Sequence, residues 1–265
     1  VRTTQMPLTE GLQAESQNCY PTPGFDLLRI LDYTRAFWPA GFYNKIFKWP
    51  SWHAYEWAIR HMAGLGRLPE DVSPARFCHM NAYCDVLVVG SGLAGQTAAL
   101  QAARAGKDVI LVEQDTELGG SLLHDPSEVN DQTPAQWLSE SIAGLEALDN
   151  VQIMLLSTVA GYYDGNFLTI HDRSLAYRKA DPIEVFWKVR AGKVVLATGA
   201  IEQPLLFGNN DLPGIMYAGA MRHYANRYGV QCGRRVVGVV NNDLAWRSVM
   251  ALADVGIEVA AIVDT

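Results

Sequence analysis

The chain has 265 residues, 49% of them hydrophobic, and a formal net charge of −7. That length allows one or two domains with a sizeable core, and the negative balance speaks against a nucleic-acid or anionic-membrane surface. No basic segment precedes an apolar run at the N-terminus, and no apolar stretch approaches the ~20 residues of a membrane span, so a cytoplasmic protein is expected. Cys19, Cys78, Cys84 and Cys232 are scattered without a C-x-x-C pair; reduced thiols and no metal site are expected. Position 1 is Val, and Ile257–Thr265 reads as a strand with its loop barely begun, so the chain is expected to be a piece of something longer.

Residues 1–50 are broken by Pro and Gly and predict irregular backbone. Aromatics crowd there and just beyond: Phe37, Trp38, Phe42, Tyr43, Phe47, Trp49, Trp52, Tyr55 and Trp57. Such a cluster in broken backbone suits packing against another domain or subunit, or an arm folded over its own domain. Ser51 is placed to cap a helix running to about Leu65, with Gly64, Gly66 and Pro69 as its stop. His53 and His61 on that helix read as surface or packing residues. Pro69–Met80 reads as a linker.

Cys84–Asp115, CDVLVVGSGLAGQTAALQAARAGKDVILVEQD, is the stretch that carries chemistry. Val86–Val89 is a short apolar run suited to a strand buried on both faces of a parallel sheet. Gly90, Gly92 and Gly95 form G-x-G-x-x-G, Ala94–Ala105 predicts a helix, and Gly106 closes it. Val109–Val112 is a second buried strand with Glu113 at its carboxyl end. In this pattern Gly90 permits the tight turn and Gly92 leaves room for a pyrophosphate. Gly95, with Ala99 one turn on, lets helix and strand pack closely. The helix N-terminus favours phosphate, and Glu113 suits the adenosine ribose hydroxyls while disfavouring a 2′-phosphate. A strand before the glycines, a helix after them and an acidic strand end are the context that makes this motif a dinucleotide fingerprint.

Gly119-Gly120-Ser121 follows, a glycine pair that lets backbone approach a nucleotide again and a hydroxyl that reaches phosphate or ribose. Thr133–Leu148 is an amphipathic helix and Val151–Leu156 a strand. Thr158–Tyr163 leaves it near where an adenine would lie. Asp164-Gly165 signals a hairpin into the strand Phe167–His171, and Ile183–Arg190 is expected as a further antiparallel strand. Lys193–Ala200, KVVLATGA, returns as a buried strand. Ala218–Tyr228 is helical, and Arg235–Val240, Leu244–Val255 and Glu258–Val263 form a second β-α-β. That unit keeps only Gly238, inside the strand, so no second dinucleotide site of the ordinary kind is expected; Asn242 and Asp243 read as a helix cap.

The fold class expected is therefore α/β. A Rossmann-like dinucleotide-binding domain spans 84–265, with a first βαβ at 84–115, a meander at about 151–190 and a truncated second βαβ from about 235. An irregular, aromatic-rich arm with a linker helix precedes it at 1–83. This order resembles the two-dinucleotide-binding flavoproteins of the glutathione-reductase type. Four blocks narrow the resemblance: TQMPLTEGLQAESQNCYP, PAGFYNKIFKWPSWHAYEWAIRHMAGLG, ATGAIEQPLLFGNNDLPGIM and NRYGVQCGRRVV with NND. They are similar to the α subunit of heterotetrameric sarcosine oxidase, over nearly all of the chain. It resembles only that subunit's N-terminal portion, beginning inside a ferredoxin-like region and stopping before the folate-binding half.

The resemblance implies a complex of α, β, γ and δ subunits that oxidises sarcosine to glycine with O2, giving peroxide, and passes formaldehyde to tetrahydrofolate as 5,10-methylenetetrahydrofolate. It implies FAD on β, covalent FMN near the α interface, and NAD on the α fingerprint. Carried over by position, the nucleotide contacts fall at Ala94, Glu113, Gln114, Asp115, Ser121 and Val159, with Gly90, Gly92 and Gly95 shaping the loop. Departures are Gln203 where Arg is expected, Ser121 where Thr is common and Asn44 where Tyr is common. No residue of the chain is assigned to the amine oxidation, so its catalytic residues are expected outside it. Two alternatives stand beside this one. A related amine, proline or opine dehydrogenase subunit would hold FAD on the same fingerprint, because the motif reads only the shared ADP half. A non-catalytic scaffold would hold a nucleotide and anchor partners through the aromatic arm.

Overall fold

The computed structural model describes residues 19–22, 24–34, 37, 47–62, 76–175, 183–210, 212 and 214–265. The chain divides into two compact units, Val1–Pro74 and Ala75–Thr265. In the first, β1 (Pro21–Thr22) and β2 (Phe25–Asp26) pair antiparallel, followed by the short α1 (Ile30–Thr34) and by α2 (Trp52–Met62). Ser51 starts α2 through its backbone, its carbonyl accepting from the Ala54 N–H at 3.2 Å. Phe47 stacks tilted on Tyr55, with centroids 5.1 Å apart, and edge-on to Trp52. Phe37, Trp49 and Trp57 stay exposed. His53 lies at the surface beside Glu56. Trp38, Phe42, Tyr43, the helix beyond Met62 and Asn44 lie outside the described residues, as does the side chain of His61.

The second unit is built on a six-stranded sheet of order β5-β4-β3-β8-β7-β6. Its parallel part comprises β3 (Arg76–Val89), β4 (Val109–Val112), β5 (Val151–Met154) and β8 (Ile183–Leu196); β6 (Ser157–Tyr163) and β7 (Phe167–Asp172) are antiparallel. Side chains alternate across a strand, and β4 buries both faces. Val109 and Leu111 join Val88, Ala99, Ala103 and Leu145 under the helices α3 (Leu93–Arg104) and α4 (Pro134–Glu146). Ile110 and Val112 instead join Leu87, Leu168, Ile170 and Val189, so the antiparallel half of the sheet covers the other face. The meander is therefore the second covering layer of the parallel core. A capping box at Thr133 and Gln136 starts α4.

Two elements differ from expectation. Residues 76–80 are strand, the start of β3, where a linker to Met80 is predicted. Their side chains are exposed and carry no apolar pattern; what holds them is backbone pairing with Ile183–Trp187 of β8. The strands predicted at 183–190 and 193–200 are one strand, β8, ending at Leu196. Gly192 does not break it, because a Cβ there would lie 2.8 Å from the Asp85 carbonyl oxygen, and the bare backbone lets β3 and β8 stay in register. Its first half pairs antiparallel with β7 while its whole length pairs parallel with β3.

The helix α5 (Ala218–Tyr228) leads to a separate parallel pair, β9 (Arg235–Val240) and β10 (Glu258–Asp264), joined by α6 (Asp243–Asp254). Asn242 caps α6, its side chain accepting from the Ala245 N–H at 2.9 Å. Gly238 lets β9 and α6 close up: a Cβ there would meet Val249 at 2.9 Å. Among the described residues no helix is long and apolar enough to cross a membrane, and no group of three or more His, Cys, Asp or Glu could hold a metal ion.

Candidate functional site

At the carboxyl end of β3 the chain turns through Gly90, whose N–H donates to the Val112 carbonyl at 2.8 Å, into Ser91 and Gly92. Gly92 is the N-cap residue of α3 and supplies no side-chain cap. The first-turn N–H groups of a helix have no partner within it, so this end of the dipole is suited to an anion. A Cβ on Gly92 would meet nothing within 4 Å, so its outer side is open. On its other side the glycine pair closes in, for a Cβ on Gly120 would lie 3.0 Å from the Gly92 Cα. Ala94 is exposed in the first turn and Gly95 is buried against Gly90.

Glu113 directly follows β4 and is buried at 8% exposure. Its carboxylate accepts from the Ser91 N–H at 2.9 Å, from the Ser91 hydroxyl, and from the Asp115 N–H at 3.0 Å. A carboxylate offers about four acceptor positions, so one remains for a ligand hydroxyl. Ser91, wholly buried, is a hub that the glycine motif alone does not reveal. Its hydroxyl also accepts from the Gly119 N–H at 3.3 Å, and its carbonyl accepts from the Gln96 side chain at 2.8 Å. One serine thus joins the glycine loop, the acidic strand end and the glycine pair. The sequence does carry a signal for it: Ser91 and Gln96 are the hydrogen-bonding side chains in an otherwise small and apolar GSGLAGQ. Ser91→Ala is expected to weaken nucleotide binding about tenfold, since a hydrogen bond to a charged group is worth about 1.5–3 kcal/mol and the carboxylate would lose its orientation. Equilibrium titration of the variant checks this.

Of the remaining candidate contacts, Gln114 is exposed, Asp115 half-buried and Ser121 exposed on a short 3-10 turn at Gly120–Leu123. The chain entering β6 returns to the end of β4 by the curl of the sheet. β5 and β6 lie on opposite edges, yet the Ser157 N–H donates to the Glu113 carbonyl at 2.8 Å and the Leu156 N–H to the Asp115 carbonyl at 2.9 Å. Val159 lies two residues along, its side chain packed on the core. Asn242 and Asp243 belong to the cap of α6, and Gln203 lies exposed after β8.

Beside Asp115 stands Arg227 of α5, which bonds it at 2.8 Å and Glu117 at 2.7 Å. Burial pushes the Asp115 carboxyl up, but the Arg227 and Thr116 hydrogen bonds outweigh it and hold the group below its ordinary range. Further along, His124 stacks on His223 at 4.4 Å, and His223 on Tyr228 at 5.3 Å. Burial, then the neighbouring His223 and Arg222, push His124 down to about 4; burial and Arg227 lower His223. The sign follows. Between about pH 6.5 and 4 the unfolded chain takes up a proton at His124 that the folded chain refuses, so stability falls across that window as pH drops. Chemical denaturation midpoints at pH 7 and pH 5 are expected to differ in that direction, and His124→Gln is expected to flatten the difference.

Residues 85–145 match the protein-family model described as FAD dependent oxidoreductase. Over 271 aligned positions the chain is 41% identical to the alpha subunit of sarcosine oxidase from Rhizobium meliloti (strain 1021), covering all of this chain and 28% of that protein. The chain is a homologue of sarcosine oxidase alpha subunits. It spans little more than a quarter of that relative's length. It is also 28% identical over 192 residues to an opine oxidase subunit from Agrobacterium tumefaciens (strain Ach5), covering 69% of this chain and 37% of that one. Among solved structures, L-proline dehydrogenase from P. horikoshii superposes with a TM-score of 0.55 at 26% identity, over 70% of this chain and 36% of that one. The fold is that of the Rossmann-like nucleotide-binding oxidoreductases.

Proposed function

We propose that this chain is the nucleotide-binding portion of the alpha subunit of a sarcosine-oxidase-like complex, and that the nucleotide it holds is NAD. The observation that carries the nucleotide reading is the meeting of three things at one point: the uncapped start of α3, the open side of Gly92, and the Glu113 carboxylate with one acceptor position left. Pyrophosphate fits the N–H groups at Leu93–Ala94 and Ser121, the adenosine ribose fits Glu113, and Gln114, Asp115 and the Val159 backbone border the adenine. A dinucleotide held here would supply hydride-accepting capacity or a structural anchor; the residues described bind and orient it.

The reaction proposed for the whole complex is oxidative demethylation of sarcosine by O2 with tetrahydrofolate as formaldehyde acceptor, on β, γ and δ partners that carry FAD and FMN, in the cytoplasm. The support is the match of the entire chain to a sarcosine oxidase alpha chain. A second reading, FAD on this chain in an amine, proline or opine dehydrogenase, draws on the description of the matching family model and on the L-proline dehydrogenase fold. Purifying the full-length subunit with its partners, denaturing it and identifying the released nucleotide by mass and absorbance separates the two. Stoichiometric NAD from this chain supports the first, FAD from this chain alone supports the second, and no adenine nucleotide at all overturns both.

A further inference from the structure

The loop from Glu113 to His124 carries the candidate contacts at both its ends, Glu113–Asp115 and Ser121, and α5 holds both ends from outside the fingerprint. Arg227 forks across the first end, one guanidinium nitrogen on Asp115 at 2.8 Å and the other on Glu117 at 2.7 Å. Asn226 donates to the His124 carbonyl at 2.8 Å at the other end, and Arg222 pairs with the next residue, Asp125, at 3.1 Å. Arg222 and Asn226, like His223 and Arg227, are four apart, so one side of the helix supplies every tie. Arg222 is buried and the Arg227 side chain is only 11% exposed. We infer that α5 is a clamp whose docking is linked to nucleotide occupancy, and that Arg227 is a positioning residue for the adenosine end of the site.

Two physical consequences follow from that geometry, and both rest on the nucleotide reading above. The loop places Glu113, Asp115 and Glu117 within five residues, beside a site for an anionic ligand. Arg227, its own side chain nearly buried, offsets two of these charges; without it the loop repels both itself and the nucleotide. Linkage is also reciprocal: if the docked helix favours the ordered loop, a nucleotide that needs that loop favours the docked helix by the same factor. Loss of a merely structural ion pair would lower stability and leave affinity and linkage untouched.

The test uses the intact complex that contains this chain, stripped of nucleotide, with ADP as the probe because it is common to NAD and FAD. Arg227→Ala is expected to weaken ADP about tenfold. Arg227→Lys should fall between it and the parent, since one ammonium cannot fork to two carboxylates as guanidinium does. ADP is expected to slow amide exchange across residues 218–228 in the parent and to lose that effect in Arg227→Ala. If that variant fails to fold, Asn226→Ala, which removes the tie to the His124 carbonyl and changes no charge, is expected to weaken ADP about threefold. Unchanged ADP affinity in a folded Arg227→Ala, or in Asn226→Ala when that variant decides, overturns the clamp, as does unaltered exchange at 218–228. If ADP binds the parent and Gly92→Val removes it while the clamp variants do nothing, the inference fails and the nucleotide reading stands. If ADP does not bind the parent, both fall.

Discussion

Replacing Gly95 with alanine is expected to destabilise the second unit by more than about 3 kcal/mol, a large share of the ~5–15 kcal/mol available to a domain. A Cβ at that position would lie 1.9 Å from the Gly90 carbonyl oxygen and 2.9 Å from its carbon. Both atoms are backbone, so no side chain can rotate away, and α3 would have to lift from the end of β3. Alanine also gains about 1 kcal/mol over glycine in a helix interior, but a clash this deep exceeds that gain. Gly90 cannot yield: a Cβ on it would in turn lie 2.3 Å from the Ala197 carbonyl oxygen, so strand end, loop and helix are stacked without slack. The measurement is the urea midpoint at unchanged slope. A midpoint equal to the parent's would mean that the loop relaxes freely and that the close packing read here is unimportant.

Gly92→Val should do the opposite, keeping the fold and losing the ligand. The backbone at Gly92 has φ −68° and ψ −174°, ordinary extended geometry that valine adopts. A Cβ meets nothing within 4 Å, so the protein has room for it. What valine would fill is the open side over the start of α3, where a pyrophosphate would approach the helix N–H groups. Loss of that approach is expected to cost at least about 100-fold in affinity, about 2.7 kcal/mol, with a melting temperature close to that of the nucleotide-free parent. Nucleotide content per chain decides it, and full occupancy in the variant would remove this site from consideration. The pair is informative together, because two glycines of one motif then separate into a packing role and a ligand role.

Local pattern made much of this legible. The apolar runs Val86–Val89 and Val109–Val112, the glycine spacing and the acidic strand end are short-range features, and each reports a backbone geometry that its own neighbours enforce. The helices at 93–104, 134–146, 218–228 and 243–254 follow from 3.6-residue periodicity and from caps such as Thr133 and Asn242. The first half of β3 was not legible, since Arg76–Met80 faces solvent and is strand because Ile183–Trp187 runs beside it. Nor could Gly192 be seen as a point of close approach rather than a break.

The chain by itself therefore determined the fold class, the place of the fingerprint, the order of the meander and the likeness to sarcosine oxidase alpha subunits. Those rest on side-chain type and spacing within a window of a few turns or strands. Only the tertiary structure decided that Ser91 orients Glu113, that β6 returns to the end of β4, and that Arg227 holds Asp115 from 112 residues away. The physical reason is that hydrogen bonds and ion pairs between distant segments carry no periodic signature. Which of the many serines and arginines of a chain is a hub depends on how the sheet curls and where a helix docks, and those are settled by the packing of the whole core.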